Sequence, residues 1–284
     1  MSHQKISIVT DSSAFIPAAI QTGLDITVIP LWLIWEDRNL RDGVDIQPAE
    51  FYRRLKGSAT LPTTAQPTVQ EFVDLFEKLA STSDAIVAVL ASSKISGTVD
   101  SAKAAMAMLP EMPIHVVDSL SSSMGQGLIV LAAARTAAEG KSLDEVVRAA
   151  ENMRAKSHLL FVVDTLEYLY KGGRISGGKR LLGTALQIKP LLQFKDGLIV
   201  PLAQARTKRR AIDMLLGIVE ERLAGSRMVE AAVVDIENPE EGEAVKQLIE
   251  DQFHPASVFR AGVSPVVGTH VGPGALGIAF YGDG

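Results

Sequence analysis

Residues 91–98 crowd Ser92, Ser93, Ser96, Gly97 and Thr98 into one short stretch. An apolar, β-branched run (84–90) precedes it and an alanine-rich stretch (99–109) follows, the pattern of a strand turning into a helix. Serine and threonine oxygens accept bonds from the unpaired N–H groups that open a helix, and Gly97 lets another group approach the main chain closely. Free N–H donors and the helix dipole together attract an anion. The same residue types also make an ordinary capped turn, so the stretch alone leaves both readings open.

Other residues with chemical potential lie far away in sequence. Thr64 belongs to residues 61–67, a stretch too proline-rich for helix and too polar for core, which reads as an extended loop presenting hydroxyls. His270 stands between Gly268 and the run Gly272, Pro273, Gly274. It is a weak base able to donate to a carboxylate, or simply a loop histidine. Arg174 sits in the glycine-rich segment 171–178, where a guanidinium can fork onto a carboxylate or phosphate. No Gly-Lys-Ser/Thr ends that segment, so it is not a phosphate-cradling Walker loop. Arg206, Lys208, Arg209 and Arg210 form the one dense basic cluster, which also reads as a solvated face.

Several chemistries are excluded by absence. The chain has no cysteine, hence no thiolate catalysis and no cysteine-ligated zinc. It shows no Gly-x-Ser-x-Gly elbow at a strand end, no His-Glu-x-x-His and no Gly-x-Gly-x-x-Gly after the first strand. What remains for catalysis is Ser96 with His270, the pair a serine-dependent hydrolase or acyltransferase would use.

The elements that must position these residues follow from periodicity. Strands are expected at 6–10, 25–30, 84–90 and 113–118, with helices at 18–22, 48–55, 69–80, 99–109, 128–139 and 142–156. A hairpin excursion is expected at 31–43, which holds both tryptophans. Thr68 with Glu71 makes a capping box. Alternating strand and helix imply a parallel sheet covered on both faces. Asp11 and Ser12, Ser92 and Ser93, and Asp118 and Ser119 all fall at strand ends, the edge where such sheets place ligands. After residue 157 the pattern changes. Strands are expected at 158–163, 191–194, 198–202, 228–236 and 257–263, helices at 165–170, 211–223 and 239–252, a turn at Asp196-Gly197, and a loop running from 268 into a last strand.

The fold class is therefore α/β: a Rossmann-like N-terminal domain (1–156) and a C-terminal domain with a mixed sheet (157–284), the ligand site lying between them. A length of 284 residues suits two domains. With 47% hydrophobic residues the chain can build large cores. A net charge of −5 gives no general attraction to nucleic acid. The first residues lack a signal peptide's apolar segment and no run is long and apolar enough to span a bilayer, so a cytoplasmic location is expected, with membrane contact at most transient.

Taken together, Val9-Thr-Asp-Ser-Ser13, Thr64-Ala-Gln-Pro67, Ser92-Ser-Lys-Ile-Ser-Gly-Thr98, Val117-Asp-Ser119, Thr165-Leu-Glu-Tyr-Leu-Tyr-Lys-Gly-Gly-Arg-Ile175, Lys189-Pro190, Arg206-Thr207 and His270-Val-Gly-Pro-Gly274 resemble the motifs of the DegV family, in order and over nearly the whole chain. The resemblance implies a fatty-acid-binding protein that presents its ligand to a separate fatty acid kinase, which phosphorylates the carboxylate. It implies that Ser96 and Gly97 hold the carboxylate with Thr64 and His270, that Arg174 and Arg206 face the acyl phosphate or the kinase, and that neither metal nor cofactor is needed. The family's loop usually reads Thr-Ser-Gln-Pro, and Ala65 replaces its serine. A buried carboxylate needs several donors. An acyl tail gains about 0.8 kcal/mol per methylene buried in an apolar tunnel, which the Leu/Ile/Phe-rich second half can line.

Overall fold

The computed structural model describes residues 4–175 and 188–284. Of the segments read from sequence, the end of the glycine-rich loop (176–178) and most of an apolar stretch (181–187) lie outside the described residues. In chain order the elements are β1 (Ile6–Asp11), β2 (Ile26–Ile29), β3 (Trp32–Trp35), β4 (Arg38–Arg41), α1 (Pro48–Gly57), β5 (Thr63–Ala65), α2 (Val69–Ala80), β6 (Ala85–Leu90), α3 (Thr98–Met108), β7 (Ile114–Asp118), α4 (Ser123–Ala138) and α5 (Leu143–Lys156). They continue with β8 (His158–Val162), α6 (Glu167–Lys171), β9 (Lys189–Lys195), β10 (Leu198–Ala205), α7 (Lys208–Leu223), β11 (Met228–Asp235), α8 (Pro239–Phe253), β12 (Ser257–Ala261), α9 (Pro265–Val271) and β13 (Leu276–Gly282).

β2, β1, β6 and β7 form a parallel sheet in that order. β1 and β6 are buried along their whole length, as strands covered on both faces must be. Phe72, Val73 and Phe76 of α2 and Ala102 and Ala105 of α3 close one face over Ile86, Ala88 and Leu90. α4 and α5 close the other. The second sheet, β10-β9-β8-β13-β11-β12, is antiparallel except for the β11–β12 pair. α7 and α8 cover its far face through Leu215, Val219, Val245 and Ile249. The α/β class with one parallel and one mixed sheet is thus observed.

α4 lies between the two sheets. It is apolar on all sides, with Met124, Leu128, Ile129, Val130, Leu131, Ala133 and Ala134 buried, the composition expected of a helix enclosed by core. It packs on β1 and β6 and also on β8 and β13. Its Arg135 grips the buried Glu230 of β11 through two bonds of 2.7 and 2.8 Å. One continuous hydrophobic core therefore runs through both halves.

Four local expectations need correction. No helix forms at 18–22; the chain makes a short 3-10 turn at Ser12–Ala14 and a series of turns through Leu24. Ala18 and Ala19 are exposed there, so nothing offsets helix nucleation over so few residues. Residues 61–67 are not wholly loop: β5 pairs with β3, placing Thr64 opposite Leu33, in a small antiparallel sheet with β4. His270 stands on a helix rather than in a loop. Ser264 caps α9, its Oγ accepting from Val267 N, and Pro265 opens its first turn. Finally, α4 begins at Ser123 rather than 128. The excursion at 31–43 is the hairpin expected, with Trp35 fully buried edge-on to Phe51 and the Arg54 guanidinium 4.2 Å from its ring centre.

Candidate functional site

The polar residues at the strand ends act mainly as struts. Asp11, at the end of β1, is fully buried and accepts from Ser13 N (3.0 Å), Ser13 Oγ (2.5 Å), Ala91 N (2.7 Å) and Gln126 Nε2 (3.2 Å). Burial pushes its carboxyl above the usual range, and these bonds pull the other way. Ser12 donates to Asp42, Ser92 donates to the Gly197 carbonyl, and Asp118 accepts from Ser93 N and Leu120 N. These groups lock the carboxyl edge of the first sheet to its neighbours.

Beside that edge, between the two sheets, lies a cavity with about 940 Å³ of space, part of it open to solvent at the mouth. Its walls are mostly apolar: Leu159, Phe161, Phe194, Ile199, Val234 and Val263 among them. Its polar residues are Thr64, Gln66, Ser96, Arg174 and His270, with Ser13, Ser122 and Ser123 from the struts' own loops. A largely apolar cavity with a few converging polar groups is the usual form of a small-molecule site.

Thr64 and His270, 206 positions apart, share a hydrogen bond of 2.8 Å between Oγ1 and Nε2. Burial, with the nearby charge of Arg174 second, lowers the His270 pKa to about 4, so the ring is neutral at pH 7. Among the described residues its Nδ1 is buried without a partner. A Cβ on Gly172 would lie 2.3 Å from that nitrogen; only glycine leaves room for the ring. Ser96 Oγ bonds Thr98 Oγ1 at 2.8 Å. Ser96 and His270 thus share no hydrogen bond, and the nucleophile–base contact of a serine hydrolase is not formed.

Arg174 is half-buried. It donates to the Ile95 carbonyl (3.2 Å) and the Gly172 carbonyl (2.6 Å), tying the 92–97 turn to the second half of the chain. The adjacent Ile175 bridges to Ile199 of β10. Burial lowers the Arg174 pKa from its ordinary value, and it forms no ion pair among the described residues. A second, outer cleft is lined by Leu61, Tyr168, Lys171 and Gly172 and shares Thr64, Arg174 and His270 with the inner cavity. The Thr64–His270 pair is therefore a partition between an apolar interior and a cleft bearing two cations.

Two of the six residues singled out from sequence stand apart. Gly97 is the N-cap of α3 and lines neither space; a Cβ there would meet the Gln66 amide at 2.9 Å, so it is Gln66 that uses the room. Arg206 is exposed just before α7 and borders neither space. In its cluster, Lys208 turns inward to the Gly274 carbonyl and to Glu241 (3.4 Å).

Comparison with known proteins bears on this geometry. A family model described as "Uncharacterised protein, DegV family" matches residues 5–283. The chain belongs to the DegV family. It is 33% identical to Protein DegV of Bacillus subtilis over 276 residues, 97% of this chain and 98% of that one. It is 38% identical to a DegV domain-containing protein of Streptomyces coelicolor over 275 residues, covering 96% and 97% of the two chains. Among solved structures, one described as fatty acid binding of a DegV family protein from Thermus thermophilus superposes with a TM-score of 0.92 at 30% identity, over 98% of this chain and 99% of that one. The structure of DegV from Bacillus subtilis, described as a fatty acid binding protein, gives 0.89 at 33% identity over 99% and 100%.

Within this DegV-family cavity, sequence reasoning did not single out Gln66, Ser122 or Ser123. Each adjoins a stretch that drew attention: Gln66 follows Ala65, itself in the cavity wall, and the two serines open α4. Gln66 lies inside the 61–67 stretch, and the two serines precede the helix expected at 128–139, so nothing local marks any of the three as facing a ligand.

Proposed function

We propose that this protein binds a long-chain fatty acid, its carboxylate held by Thr64 and Ser96 with His270 positioning Thr64 and its tail in the apolar cavity, and presents it to a separate fatty acid kinase. The observation that carries the reading is the half-buried Arg174, without an acidic partner among the described residues, beside hydroxyls at one end of an apolar cavity. A positive charge there favours a carboxylate, and the hydroxyls supply the bonds a buried anion needs. Neutral His270 fits best with Nε2–H donating to Thr64 Oγ1, which frees the threonine hydroxyl hydrogen for the ligand. In this reading residues 1–156 and 157–284 act as two domains holding the ligand between them. The outer cleft, with Lys171 and Arg174, is where a phosphoryl donor reaches the headgroup, and exposed Arg206 meets the kinase. The fatty-acid-binding relatives of known structure support the ligand class; the kinase rests on the resemblance of the motifs.

Direct binding of palmitate to delipidated protein tests this. Ser96→Ala is expected to weaken binding about tenfold or more, since a hydrogen bond to a charged group contributes about 1.5–3 kcal/mol. Arg206→Ala is expected to bind palmitate normally but to yield less acyl phosphate with a fatty acid kinase and ATP. Equal acyl phosphate yields would remove Arg206 from the kinase contact. Covalent labelling of Ser96 by a fluorophosphonate would favour the hydrolase instead.

A second prediction follows from the room behind His270. Gly172→Ala is expected to push the imidazole from Gly172 and break its 2.8 Å bond to Thr64, lowering palmitate affinity about tenfold, roughly the worth of a hydrogen bond. Titration calorimetry reads this; unchanged affinity would mean that the ring's position is immaterial to the ligand.

A further inference from the structure

The floor of the inner cavity is the second sheet, and its central strand carries a glycine where its neighbours carry bulk. In register, Gly277 of β13 lies between Phe161 of β8 and Val234 of β11, and all three line the cavity. The Gly277 backbone has no positive φ, so its conformation does not call for glycine. A glycine inside a strand otherwise weakens it and marks a bulge or a place where something approaches closely, and the pairing is regular here. A Cβ on Gly277 would stand 3.1 Å from both the Leu160 carbonyl oxygen and the Phe161 Cβ, closer than ordinary contact, and 3.8 Å from Leu159 Cδ1, with Phe161 and Leu159 both in the cavity wall. One row further along β13, Ala279 pairs with Leu159 and Ala232; it is fully buried in the core beneath α4 and α5. The missing side chain therefore leaves a slot with Phe161 and Val234 as its walls and the row at Ala279 as its end.

We propose that Gly277 is a specificity-determining residue for the length of the bound acyl chain, its absent side chain making the slot that takes the distal methylenes. The inference rests on the fatty-acid reading above. Close packing of β8 on β13 is the competing reason for a glycine here, and it predicts a loss of stability with no change in chain preference.

The test measures affinities of delipidated wild-type, Gly277→Ala, Gly277→Val and Val234→Ala proteins for saturated C12, C14, C16 and C18 acids, by displacement of a fluorescent fatty acid, with thermal melting to report folding. Each methylene excluded from apolar surroundings costs about fourfold in affinity. The C18-to-C14 affinity ratio is expected to fall about fourfold in Gly277→Ala and about tenfold or more in Gly277→Val, relative to wild type. Val234→Ala, which opens a wall of the same slot, moves the ratio the other way. Should Gly277→Val fail to fold, the opposed shifts of the other two variants decide. An unchanged ratio in both Gly277→Ala and Val234→Ala, with palmitate still bound, overturns the role of Gly277 and leaves the fatty-acid reading standing. Absence of binding of every acid by the wild-type protein overturns both.

Discussion

Asp11→Ala is expected to cost about 2–6 kcal/mol of folding stability, from two buried main-chain donors left unpaired at about 1–3 kcal/mol each. The substitution strips the acceptor from the main-chain N–H groups of Ser13 and Ala91 at once, while the Gln126 amide keeps Thr10 Oγ1 and the Val89 carbonyl. Each buried donor left unpaired costs about 1–3 kcal/mol, and Asp11, Ser13 and Gln126 are all buried. Asp11→Asn is expected to be only partly tolerated, since its amide nitrogen must face one of those N–H groups. The damage would reach the cavity as well, because Asp11 joins the turn after β1, the 91–98 turn and α4, all of which supply cavity residues. Urea denaturation of the three proteins checks this; a loss below about 1 kcal/mol in Asp11→Ala, the scale of an ordinary single hydrogen bond, would contradict it.

The second large effect is one of pH, and it is masked in the wild-type protein. His270 titrates at about 4 when folded against an ordinary 6.5. The unfolded chain binds this proton first, so the stability tied to neutral His270 is full above pH 6.5 and is lost as pH falls toward 4. Asp42 does the reverse. Burial, opposed by hydrogen bonding from Ser12, raises its carboxyl from 3.8 to about 7. Stability tied to protonated Asp42 is full below about 4 and is lost as pH rises through 7. Each contribution is on the order of 3 kcal/mol, from the energy of a pKa unit. Over pH 4–7 they oppose one another. His270→Gln is therefore expected to gain about 3 kcal/mol over wild type on going from pH 7 to pH 4.5. Asp42→Asn is expected to lose a similar amount. Denaturant midpoints across that range read both slopes as differences from wild type, so carboxylates common to all three proteins cancel. Curves parallel to wild type in both variants would show that neither group is held in its unusual state.

Much of the fold was legible because local signals and long-range packing agreed. The fully apolar run of β6 announces a strand covered on both faces. The Thr68–Glu71 capping box marks a helix start, and Asp196-Gly197, both at positive φ, makes the tight hairpin turn between β9 and β10. The misreadings fall where tertiary contacts decide. α9 has seven residues with a glycine inside, and Gly268 is there because the Tyr52 ring leaves no space for a Cβ. β5 has three residues and exists only by pairing with β3. The site was legible as residue types but not as a place. Nothing local to Thr64 or His270 says that they touch, and only the family resemblance linked them before the structure put them 2.8 Å apart. Asp42 gave no signal at all, because one acid in a polar hairpin says nothing of its burial under α9.

A crystal structure of the protein with palmitate is the most direct test of the central claim. The account predicts the carboxylate within hydrogen-bonding distance of Thr64 and Ser96, on the His270 side of the inner cavity, with the acyl chain running between Phe161 and Val234 over Gly277. A chain bound elsewhere, or one entering with its carboxylate away from Thr64 and Ser96, would contradict it.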